Sequence, residues 1–140
     1  MKILIDTNVW LDVVLDRPNL SDSSSRVVAW ATDGLGRGVV AWHSVATLDY
    51  FLSRSVPPKQ RRAFFGDLAH ACQIIGGDER DIRRALEWSM PDFEDAMIAV
   101  LAQNVGADWI VTRNVKDFRH SPVMAISPDD WKPDRIRKRR

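Results

Sequence analysis

The residues best suited to chemistry in this 140-residue chain are carboxylates and small polar side chains in three separate segments. An aliphatic run ends at Asp6, an acidic group begins at Asp92, and another aliphatic run is followed closely by Asp117. Carboxylates brought together by a fold repel one another unless a proton or a cation intervenes. Oxygen-only ligands without His or Cys suit a hard divalent ion, Mg²⁺ or Mn²⁺. The chemistry we expect is metal-assisted attack of water on a phosphodiester.

Each of these groups also has a purely structural explanation. Asp6 and the two residues after it are favoured at a helix N-terminus, where side-chain oxygens accept backbone N–H groups. The helix dipole favours Asp92 and Glu94 in a first turn, but a fourth-position acid such as Asp95 gains less from it. Asp117 fits an ordinary turn. A site therefore depends on whether the fold brings the three segments together.

The hydrophobic pattern predicts short strands that alternate with helices. Strands are expected at residues 2–5, 38–42, 72–75, 109–111 and 123–126, and helices at residues 9–15, 21–31, 43–52, 59–71, 78–88 and 92–104. Gly106 is the expected end signal of the last helix. This alternation predicts an α/β fold whose mainly parallel sheet is covered by helices on both faces.

The same pattern predicts where the acidic groups lie. Right-handed crossovers place the ends of the first and fourth strands on one edge of the sheet, and the helix before the fourth strand overhangs that edge. Asp6, Asp95 and Asp117 are then expected to converge, with Asp92 nearby. The convergence of these side chains is the central prediction of the sequence.

Composition places the chain among ordinary globular proteins, with 45% hydrophobic and 28% charged residues. We expect one domain over residues 1–127 and a basic C-terminal tail over residues 128–140. No apolar run approaches the ~20 residues that cross a bilayer, so no membrane segment is expected. The single cysteine and the lack of a secretory signal pattern predict a cytoplasmic protein. The net charge of +1 gives no global sign of polyanion binding.

The six tryptophans are numerous for a chain of this length. We expect the four in predicted core elements to be buried and the other two to be less clearly buried, free to stack on a base or a partner. The first group is Trp10, Trp30, Trp42 and Trp109, and the second is Trp88 and Trp131. The three histidines lack the spacing of metal ligands, and His43 lies closest to the predicted site.

Three blocks of the sequence resemble the hallmark blocks of PIN domains, especially those of the VapC-like toxin ribonucleases. They are residues 3–9 (ILIDTNV), 92–96 (DFEDA) and 110–118 (IVTRNVKDF), in the family's order and at suitable separations. The resemblance implies a three-layer α/β/α sandwich around a central, mainly parallel sheet. It also implies an Mg²⁺- or Mn²⁺-dependent ribonuclease that acts on RNA, forms a homodimer and pairs with a small antitoxin protein.

The resemblance also assigns roles to individual residues. The metal-binding acids are matched by Asp6, Asp95 and Asp117, and an accessory catalytic acid is matched by Asp92. The polar residues that orient ligands or substrate are matched by Asn8, Thr112 and Asn114.

Two positions depart from the family's pattern. Thr47 stands where the family commonly places a Glu, and Asp49 is turned about 200° around the helix and does not replace it. Asn114 stands where many members have Asp, which leaves Asp117 to supply the charge. A site with fewer acids binds its cation more weakly, although some branches of the family lack that Glu.

Two other functions remain open at this point. One is a catalytically weak PIN-fold module that binds RNA or a protein partner without cutting. The other is a phosphatase of the haloacid dehalogenase kind, which needs a second Asp two positions after the first, where this chain has Asn8. A basic face is either simply solvated or a contact for RNA backbone or an acidic antitoxin segment; it comprises Arg54, Lys59, Arg61 and Arg62.

Overall fold

The computed structural model describes residues 1–34 and 36–136 and is built around a five-stranded sheet. Its strands are β1 (Ile3–Ile5), β2 (Gly38–Ala41), β3 (Gln73–Ile75), β4 (Trp109–Val111) and β5 (Ala125–Ile126). Their order across the sheet is β3-β2-β1-β4-β5, and each neighbouring pair is parallel. The strand order reverses at β1, so the crevice between the ends of β1 and β4 is the place where such sheets bind ligands.

Helices connect the strands of this sheet. They are α1 (Thr7–Val14), α2 (Ser21–Thr32), α3 (Trp42–Leu52), α4 (Pro58–Ala71), α5 (Glu79–Glu87) and α6 (Phe93–Asn104). A short 3₁₀ helix (Val115–Phe118) follows β4. Gly106, with φ of +67°, turns the chain out of α6 in the left-handed conformation that favours glycine. In the described part of the chain, no helix combines the length and apolar character needed to cross a membrane.

The two faces of the sheet are covered by different helices. Ile3 and Ile5 point to one face and pack with buried residues of α1, α2, α3 and α4. Leu4, between them, points to the other face and packs with Ile98 and Ala99 of α6. Alternate residues of the inner strands are buried on opposite faces, which is why β1, β2 and β4 carry no charged or polar side chain, whereas the edge strand β3 begins with the exposed Gln73. The predicted α/β fold with three layers and a parallel central sheet is confirmed.

The segment after β5 lies against the helices that cover the first face. Trp131 is buried there and meets Trp30 edge-to-face, with ring centroids 5.3 Å apart. Ile136 also packs against this core. The expectation that Trp131 is free to stack on a base was wrong. The last part of the expected tail, residues 137–140, lies outside the described residues.

Trp42 was expected in the core. That expectation was wrong, because Trp42 is 72% exposed. It follows the buried strand β2 directly and is the first residue of α3. At that position the chain has already left the sheet, so a residue adjacent in sequence to a buried strand points outward.

Candidate active site

Asp6 follows β1 directly and serves both as a helix cap and as a wall of a cleft. Its Oδ1 accepts a hydrogen bond from the backbone N–H of Thr7 at 2.7 Å, at the start of α1. Its Oδ2 accepts from Thr112 Oγ1 at 2.8 Å and from Asn8 Nδ2 at 3.3 Å. The residue is only 3% exposed. The carboxylate is therefore fixed in position, and Asp6 both caps α1 and lines the cleft.

Asn8 and Thr112 join the ends of β1 and β4. The Asn8 amide also approaches Thr112 Oγ1 at 3.4 Å, and its Oδ1 accepts from the backbone N–H of Arg113 at 3.1 Å. Thr112 Oγ1 accepts in turn from the backbone N–H of Asn114 at 3.1 Å. Thr112 is completely buried, so its hydroxyl orients Asp6 from behind the cleft.

The N-terminus of α6 supplies the other acidic wall. Asp92 caps the helix, and its Oδ1 accepts from the backbone N–H of Asp95 at 3.1 Å. Asp95 is 5% exposed although it lies in the first turn. Asp92, Glu94 and Asp95 each offer a carboxylate oxygen, and these oxygens lie within 4.8 Å of one another. This is an oxygen-only donor set of the kind that hard divalent cations bind.

The two walls enclose a cleft of about 350 Å³. Its lining residues are Asp6, Thr7, Asn8, Leu11, Thr47, Phe51, Asp92, Glu94, Asp95, Asn114 and Asp117. Every residue expected in the site lies there except Thr112, which supports Asp6 from behind. Among the described residues that line the cleft, five are acids and none is Lys or Arg.

Burial and mutual repulsion make it costly to ionise both buried acids. Burial, followed by the charge of Glu94, raises the pKa of Asp6 to about 6, against an ordinary value of 3.8. Burial also raises the pKa of Asp95, to about 8, and the charges of Asp6, Asp92 and Glu94 add to the effect. Since the charges of Asp6 and Asp95 repel each other, a cation between the two walls would stabilise both carboxylates.

A third buried carboxylate shows how the fold treats an acid outside the cleft. Asp12 of α1 is completely buried, and its Oδ2 accepts from Arg113 Nε at 2.8 Å and from Ser24 Oγ at 2.7 Å. Arg17 approaches its other oxygen at 3.5 Å. Asp12 thus has basic partners within the protein, which buried charges normally require. Among the described residues that line the cleft, no Lys or Arg pairs with Asp6 or Asp95, so their charge is left for a ligand.

Sequence reasoning assigned too little to Glu94 and His43. Glu94 was attributed to the helix dipole, yet its side chain lines the cleft, and its Oε1 lies 3.0 Å from His43 Nε2. The sequence did carry a signal for Glu94, because three acids lie within the four residues of the DFED block. Side chains so close together at the start of one helix can point into the same site. Thr47 lines the cleft, whereas Asp49 is exposed and pairs with Arg61, so Asp49 does not replace the missing Glu.

A parallel α/β sandwich with a carboxylate-lined cleft at the ends of its central strands has its candidate site where such sheets bind ligands, and the oxygen donors there suit a divalent cation. A sequence model of the PIN domain matches residues 2–116. The chain belongs to the PIN domain family. That result confirms the resemblance of the three blocks and sets the dehalogenase-like alternative aside.

Solved structures of similar fold come from toxin–antitoxin systems. A toxin–antitoxin complex from Klebsiella pneumoniae is 20% identical, with a TM-score of 0.69 over 91% of this chain and 98% of that one. VapBC-1 from nontypeable Haemophilus influenzae is 19% identical, with a TM-score of 0.68 over 92% and 99%. VapC20 of Mycobacterium tuberculosis, a sarcin–ricin loop cleaving toxin, is 16% identical, with a TM-score of 0.63 over 78% and 87%. A search of curated protein sequences found no match.

Proposed function

We propose that this protein is a metal-dependent endoribonuclease that hydrolyses RNA phosphodiesters and acts as the toxin of a VapBC-type pair. The observation that carries the proposal is the cleft in which Asp6 and Asp95 are buried and which, among the described residues, no Lys or Arg lines. Membership in the PIN domain family and the fold shared with a sarcin–ricin loop cleaving toxin support it.

The donor set fits Mg²⁺ or Mn²⁺, with Asp6, Asp95 and Asp117 as ligands and Asp92 as an accessory acid. Glu94 adds a further carboxylate to this set. When bound, such an ion lowers the pKa of water and offsets the charge of the phosphate. Thr112 and Asn8 hold the Asp6 carboxylate in place for this task, and Asn114 at the rim of the cleft orients the substrate.

The proposal includes two protein partners and a compartment. Several structural neighbours are complexes of a toxin with its antitoxin, so we propose a small antitoxin protein that blocks this cleft in the cytoplasm. We also propose a homodimer. Light scattering on the purified chain, alone and with the product of a small neighbouring reading frame, tests both proposals. A mass equal to one protomer contradicts the homodimer, and the absence of a complex with the second protein contradicts the antitoxin partner.

The decisive test compares the unaltered protein with Asp6→Asn and Asp95→Asn on single-stranded RNA. Each substitution replaces a buried carboxylate by an amide of nearly the same shape. We therefore expect at least a ~100-fold loss of Mn²⁺-dependent cleavage, which is the usual effect of removing a group that stabilises charge in the transition state. Chelator should abolish cleavage by the unaltered protein. The matched control is Asp67→Asn, an exposed acid on α4, which should cut normally. Cleavage that survives both cleft substitutions would point to a contaminating nuclease.

A catalytically weak module that binds RNA or a protein is the second candidate function. It is favoured by Thr47 and Asn114, two cleft positions where related sites carry acids. The same assay separates the two functions. RNA that is bound but never cut by the unaltered protein, with Mg²⁺ or Mn²⁺, favours the module.

A further inference from the structure

One face of α3 continues the cleft outward as a stripe of side chains that runs from the half-buried Thr47 to exposed residues. Thr47, Tyr50, Phe51 and Arg54 follow one another at spacings of three, one and three residues, which places them on the same side of the helix and its final turn. Thr47 and Phe51 line the acidic cleft. Phe51 is 41% exposed and Tyr50, the only tyrosine in the chain, is 60% exposed. Aromatic rings thus extend from the carboxylates to the protein surface.

The rings of this stripe are held in a defined arrangement. Tyr50 and Phe51 meet edge-to-face, with centroids 5.5 Å apart and planes at 78°. The guanidinium of Arg54 lies 5.2 Å from the centroid of the Tyr50 ring, and its Nη2 donates to the Tyr50 hydroxyl at 3.0 Å. Each contact stabilises the orientation of the rings, and although the Arg54 guanidinium lies over one face of Tyr50, Tyr50 and Phe51 remain 60% and 41% exposed. We call Tyr50, Phe51 and Arg54 the α3 platform.

Positive charge adjoins the α3 platform. Residues 54–62, which lead from α3 into α4, carry four basic side chains and no acid. Arg61 Nε pairs with Asp49 Oδ1 of α3 at 2.9 Å, and this pair holds the start of α4 beside α3. Lys59 and Arg62 of the same turn are exposed. The cleft is acidic, whereas the surface next to its aromatic wall is basic.

We propose that the α3 platform binds an unpaired nucleobase of a single-stranded RNA whose backbone enters the acidic cleft. Phe51 and Tyr50 offer π faces on which a base stacks, and Arg54 meets the phosphates on the basic side. The inference rests on the proposed ribonuclease function and specifies its substrate as RNA with an unstacked base next to the bound phosphodiester. Stacking of this kind tolerates any base, so the platform selects unpaired structure rather than sequence.

A protein segment is the other macromolecule that could cover exposed aromatic rings. The charges favour RNA, because a polyanion is attracted to the basic turn and its phosphodiester is the group that the adjacent cleft is proposed to hold. Continuity between the rings and the cleft through Phe51 gives one strand a path to both.

The test measures binding, with no need for cleavage. A short single-stranded RNA carries 2-aminopurine at one position, and its fluorescence is quenched when that base stacks on an aromatic ring. All proteins carry Asp95→Asn, which keeps the strand intact if the protein is a nuclease. We expect quenching with Phe51 present, and a loss of quenching with about 5- to 100-fold weaker binding in Phe51→Leu, which keeps an apolar side chain but no π face.

Matched variants define the outcome. Phe51→Trp should restore quenching and affinity, while Leu86→Ala, an exposed apolar position on α5, should leave both unchanged. Equal quenching by Phe51→Leu and the parent overturns the inference, and so does a parent that binds no RNA or responds only to an antitoxin protein. Because cleavage by the unaltered protein is measured separately, the inference can fail while the nuclease proposal stands.

Discussion

Three buried aspartates show how the environment of one residue determines what it can do. Asp12 is surrounded by Arg113, Arg17 and a serine hydroxyl, so its charge is satisfied within the fold. Asp6 receives hydrogen bonds from Thr112 and the Thr7 backbone, which lower its pKa, but burial outweighs them. These differences in partners, rather than residue type, make the cleft acids responsive to protons and cations.

The raised pKa values predict a pH dependence of stability. A carboxyl group whose pKa is higher in the folded state favours folding below its unfolded pKa of about 4, and that contribution is lost as the pH rises through the folded pKa. The cation-free protein should therefore lose stability between about pH 4 and about pH 8, and Asp6 alone should account for about 3 kcal/mol of this loss, mostly between about pH 4 and about pH 6. Thermal unfolding in chelator at each pH measures the effect.

Two comparisons isolate the cleft as the cause. Asp95→Asn should flatten the pH dependence because it removes one of the two titrating acids. Mn²⁺ should raise the unfolding temperature more at about pH 8 than at about pH 5, since fewer protons then compete for the carboxylates. A cation-free protein that grows more stable over this pH range contradicts the assignment of raised pKa values.

At the scale of elements, Arg113 connects the end of β4 to three other parts of the chain. Its Nε pairs with Asp12 of α1, and its Nη1 pairs with Asp129 of the segment after β5 at 3.0 Å. Its Nη2 donates to the carbonyl of Leu20 at 2.8 Å and to the hydroxyls of Ser23 and Ser24. The backbone N–H of the same residue holds Asn8, so this network anchors the polar residues that orient Asp6.

Arg113→Leu should destabilise the fold by about 3–5 kcal/mol, because it leaves the Asp12 charge buried without its closest basic partner. Adding Asp12→Leu to the same chain should recover part of that loss, since the buried charge of Asp12 is then removed as well. Equilibrium denaturation in urea measures both. The control is Arg80→Leu, which breaks an exposed pair with Asp78 and should leave the midpoint of unfolding nearly unchanged. A double variant less stable than Arg113→Leu would argue against this account.

At the scale of the whole molecule, the segment after β5 completes the core on the side of α1 to α4. Trp131 packs against Trp30 of α2, and Asp129 pairs with Arg113. Sequence alone assigned residues from 128 onward to a basic tail, because prolines and charges dominate them. We propose that the folded domain extends to residue 136.

Trp131→Ala should therefore cost about 3–5 kcal/mol of unfolding free energy, as loss of a large buried aromatic side chain usually does. Its exposed neighbour offers the control, and Lys132→Ala should change stability by less than about 0.5 kcal/mol. Urea denaturation followed by tryptophan fluorescence, corrected for the lost fluorophore, gives the comparison. A Trp131→Ala protein as stable as the control would mean that the segment contributes no packing energy.

The sequence was most informative where local pattern and burial coincide. Strands such as Ile3–Ile5 and Trp109–Val111 are short aliphatic runs closed by polar residues, and both were predicted to within a residue. Trp131 was misjudged because its burial depends on contact with Trp30, about a hundred positions away, and Trp42 was misjudged because it stands where the chain leaves β2 for α3. Glu94 and Phe51 were likewise overlooked as parts of the cleft, since only packing shows which face of α6 or α3 meets β1.

By itself the sequence determined the alternation of strands and helices, the parallel sheet and the strand-end position of Asp6, because these follow from short-range periodicity and from the handedness of crossovers. Only the tertiary structure decided which carboxylates share a cleft, which acid acquires an arginine partner and which tryptophans are buried. Those outcomes depend on contacts between residues about a hundred positions apart, such as Thr112 with Asp6, and no local pattern encodes the distance between two side chains from separate elements.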